Sequence, residues 1–496
     1  MLFKVFPKNR YIEVEAEGKE GVITFPTYTP GSYIIRELER NVVEIEGERI
    51  SKNKFIVKEK FKYLVYAASR DPREAISTND YLFINPTAVF PFQDIYEKYC
   101  ISLRVSNWII NTTLKMEGDM FCGNDYLEFS DSPIEASPIL KRIKINNSIY
   151  VSTIHDIDKE AVNKITMSAE SIMGKVEDDY IFFFRRDDKS YGGIEHRNSS
   201  SIVIPWNQKD YYLLLAHEYF HRWNIKSIMP KDLNIDFEKE SYTEYLWFVE
   251  GFTEYMAMII TVKANLFTHD LIGKKIANSL SKLTFLGSKR SSLAEASKTA
   301  WIKYYRQDEN FLNSSVSYYD GGYALALYSD LVSVRNNKRV YEVFNGLLEK
   351  RFYDFNDLEK EFRKIGVENL HDLVYKPANN IINYLEDFLN IELIDKGRPY
   401  YGLIVDNGKI VFVEDSSPAD KSGLMPNDQI IAVNGINKKM EFEGRAMLLI
   451  SRGGEIKEIE VREGVNPGHK VKVEGGEIVK KLFNGNIIGI SDIDLI

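Results

Sequence analysis

The sequence His-Glu-Tyr-Phe-His at residues 217–221 constrains this chain more than any other feature, because its two histidines lie four positions apart. On an α-helix this spacing places both imidazoles on one face, one above the other. Two such imidazoles can bind one zinc ion, and Glu218 can reach a metal-bound water without binding the metal itself. The motif therefore predicts a helix on which His217 and His221 bind zinc and Glu218 acts as general base.

The residues around this motif are those of a helix packed into a core. Tyr212, Leu215, Tyr219, Phe220 and Trp223 form an apolar stripe at helical spacing. On such a helix, two histidines and a glutamate without a metal would lose hydration and gain nothing in return. We therefore favour a metal site over a chance match to the pattern.

A catalytic zinc ion usually has three protein ligands and one open position, so a third ligand must come from elsewhere in the chain. Five downstream glutamates are candidates, and spacing alone does not choose among them: Glu238, Glu240, Glu244, Glu250 and Glu254. The apolar neighbours of Glu250 indicate a mostly buried helix, where a carboxylate needs a charge partner, so we favour Glu250. Glu254, one turn later, either accepts a hydrogen bond from a ligand histidine or is an ordinary solvated glutamate.

The hydrophobic pattern changes along the chain and predicts an α+β protein of several domains. Residues 1–153 alternate in short bursts, which predicts a β-sandwich with no helix of useful length before residue 156. Residues 154–265 mix strands with helices and contain the zinc motif. Residues 266–395 are predicted to be helical. Residues 396–496 return to short strands with Gly and Asn turns, which indicates a small separate domain.

Several elements can be placed more closely. Helical spacing covers residues 157–176 and 211–224, and residues 181–184 are predicted to form a buried strand. We expect residues 199–204 to form an edge strand, on which a peptide could lie as an added strand. In the last domain, residues 445–450 are predicted to form a short helix.

The composition excludes some classes of function. The net charge of −9, from 64 basic and 73 acidic residues, argues against a nucleic-acid binder, which needs a basic face. Neither a run of 18 apolar residues nor an apolar signal core is present, so we expect no membrane span, no export and a cytoplasmic protein. Cys100 and Cys122 are too few for a disulfide scaffold and lack metal-site spacing. The sequence still allows a single disulfide bridge between them. The low glutamine content beside abundant Lys, Glu and Ile hints at a thermophilic source.

Five motifs together resemble one family, the glycyl aminopeptidases with a PDZ domain, within the gluzincin metallopeptidases. The motifs are HEYFHRWN at 217–224, EGFTEY at 250–255, YGGIEH at 191–196, SYYDGG at 317–322 and YTPGSYIIR at 28–36. The resemblance implies a thermolysin-like catalytic domain over residues 154–265, in which one zinc ion is bound by His217, His221 and Glu250.

The resemblance also implies the roles of two further residues. Glu195 would bind the free α-amine of the substrate, and Tyr319 would donate a hydrogen bond to the oxyanion of the tetrahedral intermediate. Without the resemblance, Glu195 between Gly-Gly and His fits a turn residue, and Tyr318 or Tyr319 fits aromatic packing. Gly321 departs from the pattern, which has Lys at this position. Ser227 and Met229 also depart from it, at positions expected to be basic; these departures concern substrate preference more than zinc chemistry.

The last domain resembles a PDZ module. Residues 416–424 and 427–435 match its helix, turn and strand, and residues 401–404 match its carboxylate-binding loop. The resemblance implies that the backbone N–H groups of Gly402 and Leu403 hold a peptide C-terminus while the strand edge pairs with the peptide. The alternative is a domain that only packs against the catalytic unit.

We therefore expect a zinc aminopeptidase with one Zn²⁺ per chain, acting on peptides that have a free N-terminus and Gly or Ala in first position. One alternative is a zinc endopeptidase in which Glu195 is structural and the PDZ-like domain recruits substrates by their C-termini. Another is a peptide-binding protein with a degenerate site, for which Gly321 is the only support. Cobalt or manganese can replace zinc at such ligands in vitro.

Overall fold

The computed structural model describes residues 1–208, 211–437 and 444–496. The chain forms two compact units. The first consists of Met1–Ser241, Ile259–Leu266 and Lys350–Phe352, and the second of Tyr242–Met258, Phe267–Glu349 and Tyr353–Ile496. Within the described ranges, no helix has both the length and the apolar character needed to cross a membrane.

The first part of the chain is β-rich, as predicted. A seven-stranded sheet has the spatial order Lys115–Glu117, Met120–Gly123, Tyr99–Leu103, Leu2–Lys8, Tyr11–Glu17, Lys60–Tyr66, Val42–Ile45. A four-stranded sheet has the order Ile109–Thr112, Ile134–Ser137, Leu82–Ile84, Ala75–Ser77. A three-stranded sheet has the order Gly21–Thr24, Lys54–Val57, Gly47–Arg49.

The core of this region lies where the alternation in the sequence places it. Ile12, Val14 and Ala16 are buried along one face of strand Tyr11–Glu17. The seven-stranded and four-stranded sheets contribute to one apolar cluster, which includes Val14 from the first sheet and Leu82 from the second. Burial of the apolar face of each sheet against the other stabilises both.

Two local features of this region go beyond the sequence prediction. Cys100 and Cys122 lie directly opposite each other on antiparallel strands and form a disulfide. Helix Tyr126–Ser130 is a short helix that the sequence pattern did not indicate, in a region predicted to have no helix of useful length. It has little more than one turn, which is too short to show a helical period, and the Asp125 side chain caps it by accepting from the Glu128 N–H. Two 3₁₀ turns cover Leu38–Asn41 and Pro86–Ala88.

A five-stranded sheet follows, in the order Lys141–Lys144, Ile149–Thr153, Tyr180–Asp187, Ser199–Pro205, Gly192–Glu195. Helices Lys159–Met173 and Tyr212–Phe220 pack against each other. Both predicted helices are therefore present, with narrower bounds, and the predicted buried strand lies within Tyr180–Asp187, of which the first six residues are buried.

The prediction of an edge strand at residues 199–204 is wrong. Ser199–Pro205 pairs in parallel with Tyr180–Asp187 on one side and antiparallel with Gly192–Glu195 on the other. The strand at this edge of the sheet is Gly192–Glu195, which forms a hairpin with Ser199–Pro205. Its two glycines carry no β-propensity signal, and so the sequence pattern did not reveal it.

The middle of the chain is helical, as predicted. A π-helical segment, Trp247–Phe252, leads directly into helix Thr253–Lys263. The remaining helices are His269–Lys282, Leu286–Arg290, Leu293–Lys298, Phe311–Ser314, Tyr318–Arg335, Tyr341–Leu348, Phe355–Lys364, Leu370–Tyr375 and Asn380–Leu385. Two-residue strands occur at Met229–Pro230 and Phe352–Tyr353.

The last region is mainly β. One sheet has the order Leu403–Asp406, Lys409–Val413, Gln429–Val433, Arg445–Arg452, Glu455–Arg462, with Ile436–Asn437 paired to Gln429–Val433. A second sheet has the order Leu389–Leu393, Val471–Gly475, Ile488–Ile490, and a third pairs Pro399–Tyr400 with Gly464–Val465. The helices are Pro418–Lys421 and Glu477–Phe483.

The predicted helix at residues 445–450 is wrong, because this segment belongs to strand Arg445–Arg452. Ala446, Leu448 and Ile450 are fully buried on one face of the strand. Met447 and Leu449 between them are also apolar, which hides the period of two in the sequence.

Candidate metal centre

Helix Tyr212–Phe220 brings the two histidines of the zinc motif together. His217 lies on its last turn and His221 is the residue that ends it, with 7% and 1% of their surfaces exposed. Their Nε2 atoms are 3.1 Å apart, and their ring centroids are 4.7 Å apart. Nδ1 of His221 donates to the carbonyl oxygen of Asn224 at 3.1 Å, which leaves the Nε2 lone pair for a metal.

Glu250 joins these histidines. It is 2% exposed and belongs to the π-helical segment Trp247–Phe252, a rare backbone form that is frequent at functional sites. One potential ligand atom from each of His217, His221 and Glu250 lies within 4.8 Å of the other two. Two imidazole nitrogens and one carboxylate oxygen are the donor set of many catalytic zinc sites, so these residues fit a zinc ion.

Glu218 lies beside this cluster and is 5% exposed. The edge strand Gly192–Glu195 runs directly against its carboxylate. A Cβ atom placed on Gly193 would be 2.2 Å from Glu218 Oε1, so only glycine allows this approach. The motif YGGIEH therefore places the edge strand of this sheet next to the predicted general base, with Arg73 Nη2 donating to the Gly193 oxygen at 3.2 Å.

Glu195 ends the same edge strand and is 5% exposed. The turn at residues 28–36 reaches it, because a Cβ on Gly31 would lie 2.7 Å from Glu195 Oε1. Gly31 has φ +95°, a conformation that glycine adopts at little cost. The turn motif that supported the resemblance is therefore packed against the carboxylate predicted to bind the substrate amine.

Asp131, which the sequence analysis missed, anchors the chain next to Glu195. Its carboxylate accepts from His196 Nδ1 at 3.2 Å, from the Arg197 N–H at 2.7 Å and from Lys226 Nζ at 3.1 Å. Burial raises the pKa of Asp131, but Lys226 and these hydrogen bonds outweigh it and hold the pKa well below its usual range. Ile225 has φ +90°, which is rare for a β-branched residue, and the turn it makes leads directly into Lys226.

Tyr319 lies in the first turn of helix Tyr318–Arg335, which Ser317 caps by accepting from the Asp320 N–H. Tyr319 is partly exposed, whereas Tyr318 is fully buried and its ring lies 4.8 Å from that of Tyr304. Burial raises the pKa of Tyr319 well above its ordinary value, and the charge of Glu250 adds to this effect. Its hydroxyl therefore stays protonated at neutral pH and can donate a hydrogen bond, while Tyr318 fits aromatic packing.

Gly321 and Gly322, which follow in the same helix, each contact a different part of the structure. A Cβ on Gly322 would lie 2.2 Å from the Trp247 carbonyl oxygen, so the helix carrying Tyr319 contacts the π-helical segment backbone to backbone. A Cβ on Gly321 would meet Leu293 Cδ2 at 2.4 Å. Any side chain at position 321 would therefore require Leu293 to shift.

Glu254 lies on helix Thr253–Lys263, and its side chain is 18% exposed. It accepts a hydrogen bond from Lys275 Nζ at 2.5 Å. This exposure is lower than a solvated surface glutamate would show. A hydrogen bond from a ligand histidine to Glu254 stays a prediction.

The loop predicted to bind carboxylates holds a residue of this chain. The N–H groups of Tyr401, Gly402 and Leu403 all donate to the Ile496 oxygen, at 3.0, 2.9 and 3.2 Å, and the Ile496 N–H donates to the Leu403 oxygen at 2.9 Å. Gly402 has φ +83°, and a Cβ there would lie 2.3 Å from Ser417 Cβ. Three N–H groups therefore converge on one oxygen beside strand Leu403–Asp406, which is the last strand of its sheet among the described residues.

Two family models match the chain. Residues 210–325 match the M61 glycyl aminopeptidase model, and residues 6–138 match the model of the peptidase M61 N-terminal domain. No curated protein sequence matches the chain.

A solved structure shares this fold over nearly the whole chain. A crystal structure of an aminopeptidase N family protein from Idiomarina loihiensis superposes with a TM-score of 0.82 at 21% identity, covering 97% of this chain and 99% of that one. Yeast LTA4 hydrolase gives a TM-score of 0.45 at 13% identity, covering 76% of this chain and 68% of that one. Its complex with bestatin gives 0.44 at 14% identity, covering 76% and 67%.

Proposed function

We propose that this chain, whose N-terminal and catalytic regions match the M61 glycyl aminopeptidase family, is a zinc-dependent aminopeptidase that removes N-terminal residues from peptides. The observation that carries the proposal is the buried cluster of His217, His221 and Glu250. The family match supports a peptidase, and the donor set supports zinc, one ion per chain. A preference for Gly or Ala in first position rests on the family match alone.

Each residue of the proposed site has its own role in peptide hydrolysis. A zinc ion bound by the three ligands supplies Lewis-acid polarisation and acidifies water. Glu218 takes a proton from the attacking water and returns it to the leaving amine. The Tyr319 hydroxyl donates a hydrogen bond to the oxyanion as negative charge develops there. Glu195 binds the ammonium group of the substrate and so fixes cleavage one residue from the N-terminus.

The edge strand Gly192–Glu195 supports this assignment of Glu195. A peptide that lies along this strand pairs with its backbone, and Glu195 stands at the end of the strand. The peptide's ammonium group can then meet the Glu195 carboxylate while its first peptide bond lies near Gly193 and Glu218. The alternative endopeptidase needs the peptide to pass beyond Glu195, next to the segment in which Asp131 accepts from His196 and Arg197.

The test is hydrolysis of glycyl and alanyl anilides beside their N-acetylated counterparts, with zinc content measured on the same protein. We expect cleavage of the free-amine compounds only, and loss of cleavage after chelation with recovery on adding zinc. Equal cleavage of the acetylated compounds would overturn the role of Glu195 and favour the endopeptidase. Zinc binding without any cleavage would favour the degenerate binding protein.

We propose further that the loop with Gly402 and Leu403 binds peptide C-termini, as expected of a PDZ-like domain. The three N–H groups that converge on the Ile496 oxygen support this assignment. Binding of a fluorescent peptide with a free carboxylate, compared with its C-terminal amide, tests it. Equal binding of the amide would refute a carboxylate site and favour a domain with a packing role only.

A further inference from the structure

Residues 491–496 form neither a helix nor a strand, but specific contacts hold them in place. Asp492 is fixed against helix His269–Lys282. Its N–H donates to Asn278 Oδ1 at 2.7 Å, and Asn278 Nδ2 donates to its Oδ2 at 3.1 Å. Lys274 Nζ lies 3.1 Å from the same carboxylate oxygen. One residue near the start of the segment is therefore bound through both its backbone and its side chain.

Two further contacts hold this segment. The Ser491 N–H donates to the Val471 oxygen at 2.9 Å, and the Val471 N–H donates to Ser491 Oγ at 2.9 Å. Farther along, the Asp494 carboxylate accepts a hydrogen bond from Lys470 Nζ. The segment is therefore held along most of its length before it reaches the loop that contacts Ile496.

The backbone of Ile496 lies where a bound peptide would add a strand. Leu403 and Ile496 each donate an N–H group to the other's oxygen, at 3.2 and 2.9 Å, which is the exchange made by a hydrogen-bonded residue pair in antiparallel strands. The Tyr401 and Gly402 N–H groups donate to the same Ile496 oxygen. Ile496 therefore already makes the backbone contacts that an added peptide strand makes with a loop of this kind.

The side chain of Ile496 is also in place. It is partly buried and packs against the apolar cluster of the last region. This cluster includes Leu403 from the edge of the sheet and Ala419 from helix Pro418–Lys421, both of which are fully buried. Removal of the isoleucine side chain from water favours this position, so the site selects an apolar residue there.

We propose that residues 491–496 are a resident ligand of the loop with Gly402 and Leu403, and that an outside peptide binds this loop only by displacing them. The inference rests on the peptide-binding role proposed above for the same loop. A peptide that displaces the segment has the features that hold Ile496: an aliphatic last residue for the apolar cluster, and a backbone that pairs with Leu403. The loop is thus closed until such a partner is present in excess.

A ligand within the same chain competes strongly with an outside peptide, because its attachment gives it an effective concentration of about 1 mM. The apparent Kd of the outside peptide then equals its intrinsic Kd divided by the fraction of chains whose loop is vacant. If the segment fills the loop in about nine chains of ten, this raises the apparent Kd about tenfold. A substitution that releases the segment should restore the intrinsic Kd.

The experiment uses a peptide with the sequence of residues 491–496, labelled with a fluorophore on its N-terminus and ending in either a free carboxylate or an amide. Its binding is measured by anisotropy on the zinc-loaded full chain and on the Ile496→Asp variant, which places a charge against the apolar cluster. We expect the variant to bind the free-carboxylate peptide at least about tenfold more tightly than the unmodified chain does. Ile490→Asp is the matched control. It makes the same change at a residue that is 45% exposed and outside the loop, and it should leave the Kd unchanged.

The outcomes separate this inference from the proposed role of the loop. Equal Kd values for the unmodified chain and Ile496→Asp, with the free carboxylate still required, would overturn the resident ligand and leave the peptide-binding role intact. If the variant binds the amide equally well, or binds neither peptide, the peptide-binding role fails and this inference fails with it. If the variant does not fold, hydrogen exchange of the unmodified chain decides: excess free-carboxylate peptide should speed exchange of the Ile496 amide, and unchanged exchange at saturation would refute displacement.

Discussion

Replacing Gly193 by alanine should damage the site through Glu218. The new Cβ would lie 2.2 Å from Glu218 Oε1, 2.4 Å from its Cδ and 2.6 Å from its Cγ. Ordinary contacts to a Cβ begin at 3.4 Å. The carboxylate or the edge strand must therefore move by about 1 Å, and a displacement of this size at a reacting group costs on the order of 10²-fold in rate.

We expect the Gly193→Ala variant to lose about 10²-fold in kcat/KM on a glycyl anilide. Its zinc content should not change, because Glu218 is not among the clustered ligand residues. Overpacking of this kind should also cost about 1–3 kcal/mol of stability. Steady-state kinetics, metal analysis and denaturant unfolding on one preparation give all three quantities.

Making Gly193→Ala in a Glu218→Ala variant separates the clash with Glu218 from any general effect of the added methyl group. In the Glu218→Ala variant the atoms that Gly193→Ala would strike are gone, so the stability cost of the substitution should largely disappear. An equal cost in both backgrounds would refute the reasoning, because it would show that the strand itself rejects a side chain. Unchanged activity in the single variant would refute it as well.

Three further predictions follow from the same contacts. Glu218→Gln should lower kcat by about 10²–10⁴-fold with zinc still bound, measured by anilide hydrolysis and metal analysis. Asp131→Asn should destabilise the chain at neutral pH. Because the folded-state pKa of Asp131 is depressed, its contribution is complete above the ordinary value of 3.8 and is lost as the pH falls below it, so unfolding curves of variant and wild type should converge there. Joint replacement of Cys100 and Cys122 by serine should cost about 3 kcal/mol in a denaturant titration, as expected for a closed loop of this length; no change under oxidising conditions would contradict the bridge.

The sequence predicted the features that depend on residues close together in the chain. The zinc motif and its helix depend on residues four positions apart, so helical geometry alone predicts that His217 and His221 meet. The alternation around Ile12 predicts a buried face in the same way. By contrast, residues 445–450 are apolar on both faces, and a short apolar run cannot distinguish strand from helix.

The parts of the site that sequence reasoning missed depend on contacts between distant segments. Asp131 lies 65 residues before His196 and 95 before Lys226, and nothing in the local pattern indicates that they meet. Glu250 was chosen among five glutamates through its apolar neighbours and a family resemblance, because spacing did not decide. Gly193 could have been noticed, since two adjacent glycines in a strand often mark a close backbone approach.

The π-helical segment Trp247–Phe252 has a consequence for comparing sequences of this kind. A π turn contains one residue more than an α turn, so deleting one residue there would restore a regular helix and turn the preceding side chains by about 100° relative to those that follow. Glu250 and Glu254 would then no longer keep their present directions, although every letter of the motif could survive. A relative that keeps both glutamates but has one residue fewer between Trp247 and Glu250 is therefore expected to have lost the metal ligand that we propose at Glu250, through a deletion and not through a substitution.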